Sequence, residues 1–462
     1  MPTQREWTIL LYMAGDNGKI FETKNGNFSL MAGMTESGER DLAEVEVVGT
    51  TDQVAVLAQF DTLGDNGTMR LELYEGRSTV ENIVERIPET NTGDPSELSK
   101  FIVWGMSRCP ANRTMLVLWN HGTGWKDDDF YEGVRSVRSA TRKPNRKVSK
   151  PPFRTTAPTI LRKVKRAQTD GKRAILADDT SMDFLTNTEM SQALRVAEFA
   201  QDEADVAAIF QDKDRLKELM TRGTEGSLRH LNIIGMDACL MAMIEVQYQV
   251  RKFADVMVGS QEVEPLRGWP YTEILQELNL RPTSTSAELA ALIVDKYAES
   301  YVSTSRKIPN ITQSAIDLSK MGEAALLIKD FSEALARDFF DVDDLYLKDT
   351  YRDAQAFATD RNYAFDDPEY LDLISFLQAL LKGYKGRGDQ PDTLKAGQNL
   401  LDWLLSPQSP IIKNAAIGSF KDRAYGISIY VPMTQPSPLY KELDFAAAGW
   451  LKTIDTINKP QS

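Results

Sequence analysis

Two apolar runs, Arg113-Thr-Met-Leu-Val-Leu-Trp119 and Leu231–Met236, empty directly into short segments that carry chemistry. Neither run alternates, so both read as strands buried on two faces, the pattern of a parallel sheet covered by helices. Behind the first comes Asn120-His121-Gly122-Thr123-Gly124-Trp125, and behind the second Asp237-Ala238-Cys239. Open α/β sheets display their reactive groups outside the carboxyl ends of the strands. The two tails therefore point to an α/β fold with its chemistry at one end of a sheet.

A thiol and an imidazole at two strand ends can meet, and a His there can exchange a proton with a Cys nucleophile. Leu240 to Val250 reads as the following helix, whose N-terminal dipole would favour thiolate at Cys239. Gly122 lets backbone approach a ligand closely, and its N–H is a candidate oxyanion donor. Taken singly, each residue has a plainer use: free Cys is often a buried, inert thiol, and a His in a Gly-rich turn is often a satisfied core residue. Cys109 and Cys239 are the only cysteines and His121 and His230 the only histidines, so there is no disulfide framework. The spacings do not fit a zinc site either, and no metal ligand set is assigned. His230 enters its strand at the wrong end and reads as structural or exposed.

Further strands are expected over Glu6–Ala14, Val54–Phe60, Thr68–Tyr74, Ile175–Asp179, Val256–Gln261 and Tyr425–Pro432, with a hairpin signal at Asp65-Asn66-Gly67. Helices are expected over 35–48, which is acidic, over Ser96–Gly105 with Ser96 as N-cap, and over Asn187–Phe199. Residues 286–302 and 314–404 read as predominantly helical. This divides the chain into 1–133 with the His, a basic linker 134–175, 176–285 with the Cys, and a mainly helical 286–462 that returns a strand at about 424–431.

The net charge of −13 conceals an asymmetry. Between Arg135 and Arg173 stand fourteen Lys and Arg against one acid, Asp170, with Pro144, Pro151, Pro152 and Pro158 interspersed. Such a segment is extended and self-repelling. It suits a solvated insertion, an arm for an acidic partner, or a protease-accessible processing loop. The acidic remainder argues against nucleic acid as a partner. No apolar run is long enough to span a membrane and the first residues lack signal-peptide flanks, so a cytoplasmic address is expected.

With Asn120-His121-Gly122 and Asp237-Ala238-Cys239-Leu240-Met241 at strand ends, the chain resembles the clostripain family of cysteine peptidases, within the caspase-like superfamily. Leu11-Tyr-Met-Ala-Gly-Asp-Asn17, Asp178-Asp-Thr-Ser-Met-Asp-Phe-Leu-Thr186, Gly259-Ser-Gln-Glu262 with Glu264-Pro265 and Gly268-Trp269, and Gly426-Ile-Ser-Ile-Tyr430 extend the likeness through most of the chain. The resemblance implies a caspase-haemoglobinase fold, a central mostly parallel sheet flanked by helices, here with an added C-terminal helical subdomain. It implies His121 and Cys239 as the catalytic dyad, with the N–H groups of Gly122 and Cys239 holding the oxyanion.

The family's usual preference is for Arg or Lys before the cleaved bond. Asp237, Ser260, Glu262 and Glu264 are the implied substrate-binding residues, Asp237 being the foremost acid. Arg267 departs from that pattern, since an Arg in the pocket would select acidic side chains instead. Family members are often nicked between the His and Cys segments, so the resemblance implies a zymogen cut, by itself or by an upstream protease, at Arg142, Lys143, Arg146, Lys147, Lys150 or Arg154. No cofactor is required. Some relatives depend on Ca2+, which stays open as a cofactor although no EF-hand-like Asp spacing appears. Protein or peptide substrates, no membrane and a processed monomer complete the expectation. A non-catalytic signalling or binding module using the basic arm is the competing reading.

Overall fold

The computed structural model describes residues 4–17, 19–22, 28–31, 33–63, 67–125, 175–178, 181, 183–304, 310–338, 350, 353–354, 369–385, 391–432, 436 and 438–457. They form two compact units, one of residues 1–238 with 265–286 and one of 239–264 with 287–462. The chain thus passes from the first to the second unit between Ala238 and Cys239.

In the first unit the strands are β1 (Arg5–Gly15), β2 (Lys19–Glu22), β3 (Phe28–Met31), β4 (Val54–Thr62), β5 (Thr68–Glu72), β6 (Ile83–Ile87), β7 (Ala111–Trp119), β8 (Ile175–Asp178), β9 (Asp183–Leu185) and β10 (Leu231–Asp237). Six of them run side by side in the order β10-β7-β1-β4-β5-β6. The pairs β10/β7, β7/β1 and β1/β4 are parallel, whereas β4/β5 and β5/β6 are antiparallel. The sheet is therefore mostly parallel, as expected. β1 shows why: after two half-buried residues its remaining nine are all buried, which only strands covered on both faces require.

Helix α1 (Gly33–Glu46) packs on β1 and β4, and helix α2 (Pro95–Arg108) on β1 and β7. Gly105 brings α2 close, because a Cβ there would stand 2.5 Å from Leu10 Cδ2. The N-cap of α2 is Asp94 rather than Ser96: its carboxylate accepts from Ser96 N–H at 2.8 Å, and Pro95 occupies the first turn. Helix Asn187–Phe199 has its expected bounds, set by a capping box in which Thr186 and Glu189 exchange bonds of 3.0 Å.

The second unit adds strands to a C-terminal region expected to be mainly helical with one returning strand at about 424–431. It carries β11 (Ala254–Gly259), β12 (Ile311–Asp317), β13 (Tyr370–Asp372), β14 (Ile411–Ile417) and β15 (Ser428–Tyr430). β12 lies antiparallel between β11 and β14, and β13 pairs with β15. β12 escaped notice because its interior, Thr312-Gln313-Ser314, is polar yet fully buried. Helices Met321–Asp338, Pro391–Leu404, Leu373–Lys385 and Trp450–Ile457 form the remaining core. Trp450 sits between Phe331 and Phe376 and donates from Nε1 to Tyr430 O at 2.7 Å.

A second correction concerns Leu240–Val250. The helix spans only Ile244–Val250. Leu240 has φ +64°, a left-handed conformation from which a helix cannot propagate. The intervening backbone bonds instead to the loop after β11, Leu240 N–H to Glu262 O at 3.2 Å and Ala242 N–H to Ser260 O at 2.8 Å. Dipole stabilisation fades within a helical turn, so a seven-residue helix beginning five residues later offers Cys239 little.

Candidate active site

In the first unit the end of β7 is tightly held. Asn120 donates its backbone N–H to Asp237 O at 3.3 Å and its side-chain amide to Ala14 O, tying the exits of β10 and β1 to that of β7. His121 follows, half-buried, and Gly122 forms an antiparallel bridge with Ile175 at the start of β8. Thr123, Gly124 and Trp125 are buried. His230, at the entrance to β10, is exposed.

Asp237 closes β10 and is 5% exposed. Its Oδ2 accepts from Tyr271 O–H at 2.8 Å and from Trp269 N–H at 3.3 Å. Asp41, on α1, belongs to the same spot: Trp119 Nε1 donates to its Oδ2 at 2.8 Å. Burial, and then the charge of Asp237, raise the Asp41 carboxyl pKa from 3.8 to about 8, against the Trp119 N–H and the Arg40 charge. Gly268 covers both acids. With φ +61°, it would place a Cβ 3.1 and 3.2 Å from the Asp237 oxygens and 3.4 Å from Asp41 Oδ2. No larger residue fits there without displacing a carboxylate.

Arg267 is half-buried. Its charge favours ionised Glu44, whose carboxyl is nevertheless raised, chiefly by burial. Asp41 was missed in the sequence because the acidic 35–48 helix gives no sign of which of its acids turns inward.

In the second unit Cys239 is half-buried, and its sulfur accepts a hydrogen bond from Glu264 N–H at 3.3 Å. The thiol in turn donates to Glu264 O at 3.9 Å. The loop is stiffly braced. Ser260 Oγ donates to Glu262 O at 2.9 Å and shares a hydrogen with Thr312 Oγ1 at 3.0 Å. The Glu262 carboxylate accepts from Val263 N–H at 2.8 Å, and the Glu264 carboxylate from Gln313 Nε2 at 3.3 Å. Gln261 reaches Asp372 Oδ2 at 2.9 Å and accepts from Gly426 N–H at 2.8 Å. Ser260, Glu262 and Glu264 are thus buried members of the loop that holds the thiol.

Cys109 is 2% exposed, and burial raises its thiol pKa. That leaves Cys239 as the thiol suited to chemistry. Arg142, Lys143, Arg146, Lys147, Lys150 and Arg154 lie outside the described residues. Among the described residues, the acids grouped closely enough to hold a metal ion are Asp16, Asp61 and Asp178.

The chain is similar to known proteins in family and in fold. The family model described as "Clostripain family" matches residues 33–139 and 163–390. An inactive zymogen C11 protease from Parabacteroides distasonis is 18% identical with a TM-score of 0.57, the match covering 97% of this chain and 99% of that one. A secreted C11 cysteine protease from Bacteroides thetaiotaomicron, iotapain, is 15% identical with a TM-score of 0.59, covering 97% and 100%. Another secreted C11 cysteine protease structure from that organism, in complex with an irreversible peptide inhibitor, is 16% identical with a TM-score of 0.57, covering 96% and 99%. At these identities the likeness is one of fold. No curated protein matches the chain.

Proposed function

The chain belongs to the clostripain family and is a cysteine peptidase; from that premise we propose that it is an endopeptidase with a Cys239/His121 dyad, cleaving after Arg or Lys, made as a zymogen and activated by a cut in its basic segment. The observation that carries this reading is register. β7 and β10 are parallel neighbours with Trp119 opposite Asp237, and His121 and Cys239 each come two residues later.

Cys239 as thiolate attacks the scissile carbonyl carbon, and the carbonyl electron pair moves onto oxygen, which the N–H groups of Gly122 and Cys239 stabilise. Collapse of that intermediate expels the amine, which takes its proton from the His121 imidazolium, and leaves a thioester on Cys239. Neutral His121 then removes a proton from water as the water adds to the thioester, releasing the carboxylic acid and the thiolate.

Asp237 is the acid we assign to the cationic side chain. Its burial beside Asp41 supports this, because a guanidinium or ammonium group compensates two crowded carboxyls that otherwise cannot both ionise. The action of Arg267 on Glu44 favours the basic preference over an acidic one built on Arg267. The zymogen of similar fold and the density of Lys and Arg between residues 135 and 173 support activation by cleavage.

The test is to incubate purified wild type and Cys239→Ala and locate any cuts by intact mass. Nicking after a Lys or Arg in 135–173 in the wild type alone is the expected result. If trypsin nicking of the wild type also yields no hydrolysis of Arg- or Lys-containing peptides while Asp-containing peptides are cut, the Asp237 assignment fails and Arg267 takes its place.

A further inference from the structure

Gln261 stands between the two residues that hold the turn after Cys239. Ser260 O accepts from Ala242 N–H at 2.8 Å and Glu262 O from Leu240 N–H at 3.2 Å, so the loop after β11 and the residues following the thiol form a short ladder. A shift of Gln261 moves both rungs. Its backbone N–H donates to Thr312 Oγ1 on β12 at 3.0 Å, but its side chain leaves the loop for another part of the second unit.

There Gln261 Nε2 donates to Asp372 Oδ2 at 2.9 Å, and Gln261 Oε1 accepts from Gly426 N–H at 2.8 Å. Asp372 closes β13. Its Oδ2 also accepts from Tyr425 N–H at 2.7 Å, and its Oδ1 from Ser375 N–H at 2.8 Å in the first turn of helix Leu373–Lys385. Gln261 and Asp372 are 1% and 0% exposed. The same strand pair holds the turn at a second point: Ser428, opposite Asp372 on β15, donates its N–H to Ala242 O at 2.9 Å.

A carboxylate is a costly helix cap in so buried a place, since Ser or Asn caps as well without a charge. What it adds is acceptor capacity, two oxygens with about four lone-pair sites and no hydrogen to donate. Asp372 thus takes N–H groups from three segments at once. It also fixes the Gln261 amide, with Nε2 toward the carboxylate and Oε1 toward Gly426 N–H; the reverse would set oxygen on oxygen and donor on donor. Burial raises the Asp372 carboxyl to about 6 against these donors, which leaves it ionised at neutral pH.

We propose that Asp372 and Gln261 are positioning residues of the peptidase. The carboxylate holds the Gln261 amide, and the amide sets the loop whose carbonyls grip Leu240 and Ala242 and whose Glu264 N–H meets the sulfur of Cys239. The proposal rests on Cys239 as the nucleophile. Neither residue acts on substrate: their part is to keep the backbone after the thiol, Leu240 at φ +64° included, in the conformation that presents it.

Two measurements test it. In the first, kcat and KM on an Arg-containing peptide are compared for the wild type, Gln261→Met and Asp372→Asn. A fall in kcat of about tenfold or more at nearly unchanged KM is expected, because misplacement of a reacting group is felt in the transition state. Gln261→Glu combined with Asp372→Asn again sets a donor against an acceptor, and should recover kcat at least about threefold over Gln261→Glu alone. Folded single variants with wild-type kcat overturn the proposal, as does a double variant no better than Gln261→Glu. The second measurement needs neither turnover nor a change at the pair. It is hydrogen exchange at low urea in the full chain carrying Cys239→Ala, which cannot process itself. The amides of Leu240, Ala242, Tyr425 and Gly426 should open together as one unit. Opening of Leu240 and Ala242 ahead of Tyr425 and Gly426 breaks the link and overturns the proposal, even if the variants fail to fold. If the wild type turns over no Arg- or Lys-containing peptide, the basic preference fails, and the exchange pattern alone decides the positioning role.

Discussion

The two halves of the proposed dyad are held in different ways. His121 leaves a parallel strand whose neighbours on both sides are bonded to the residue before it, Asn120 reaching Asp237 O and Ala14 O. Cys239 is held instead by a loop, with its sulfur on Glu264 N–H and the following backbone laddered to residues 260 and 262. Strand anchoring depends on a cooperative array of backbone bonds that no single side chain controls. Loop anchoring rests on a few buried polar side chains, of which Gln313 and Thr312 are the chief ones. Point mutations should therefore loosen the nucleophile more easily than the imidazole.

The largest effect is expected where that difference vanishes. Cys239→Ala and His121→Ala should each lower kcat/KM on an Arg-containing peptide by about 10^3-fold or more, since members of a catalytic unit fail together. Equal stability of the two variants in urea would show that the loss is chemical. Retention of more than a tenth of the activity in His121→Ala would remove the imidazole from the mechanism.

Next comes Gln313→Leu, which leaves the buried Glu264 carboxylate without that donor and should cost about 1–3 kcal/mol in urea unfolding. It should also slow alkylation of Cys239 by iodoacetamide at neutral pH, by loosening the N–H set on the sulfur. Unchanged alkylation alongside lost stability would separate the brace from the thiol's reactivity.

On the strand-anchored side, Asp41→Asn should flatten part of the pH dependence of stability. The folded carboxyl titrates near 8 against 3.8 ordinarily. Its contribution is fully present below the unfolded value and is lost as pH rises through that window to the folded one. The variant should therefore gain on the wild type from acid to pH 8, and parallel curves would show that Asp41 is not the group held protonated. The smallest effect is at the periphery: Asp94→Ala, removing the cap of α2, should cost ~1 kcal/mol and leave Cys239 alkylation unchanged.

How much was legible in the sequence follows from how each element is buried. β1, β4, β7 and β10 were found because strands covered on two faces are apolar throughout. β12 was hidden because Thr312, Gln313 and Ser314 are buried for their hydrogen bonds to the thiol-bearing loop and to Gly426 O, not for apolar area. The short helix after Cys239 was misjudged at its start for a related reason. Leu240 is apolar and helix-compatible by composition, yet it has positive φ and its N–H is bonded to Glu262 O, a partner distant in sequence.

The sequence by itself determined the α/β class and the emergence of His121 and Cys239 from strand ends, since apolar runs and their polar tails are local properties. Only the tertiary structure decided which acids matter. Asp41 meets Asp237 across 196 positions of chain, and Asp16, Asp61 and Asp178 converge from three separate strands. A buried carboxylate has the same letter as a solvated one, and its energy depends on the groups that long-range packing sets around it.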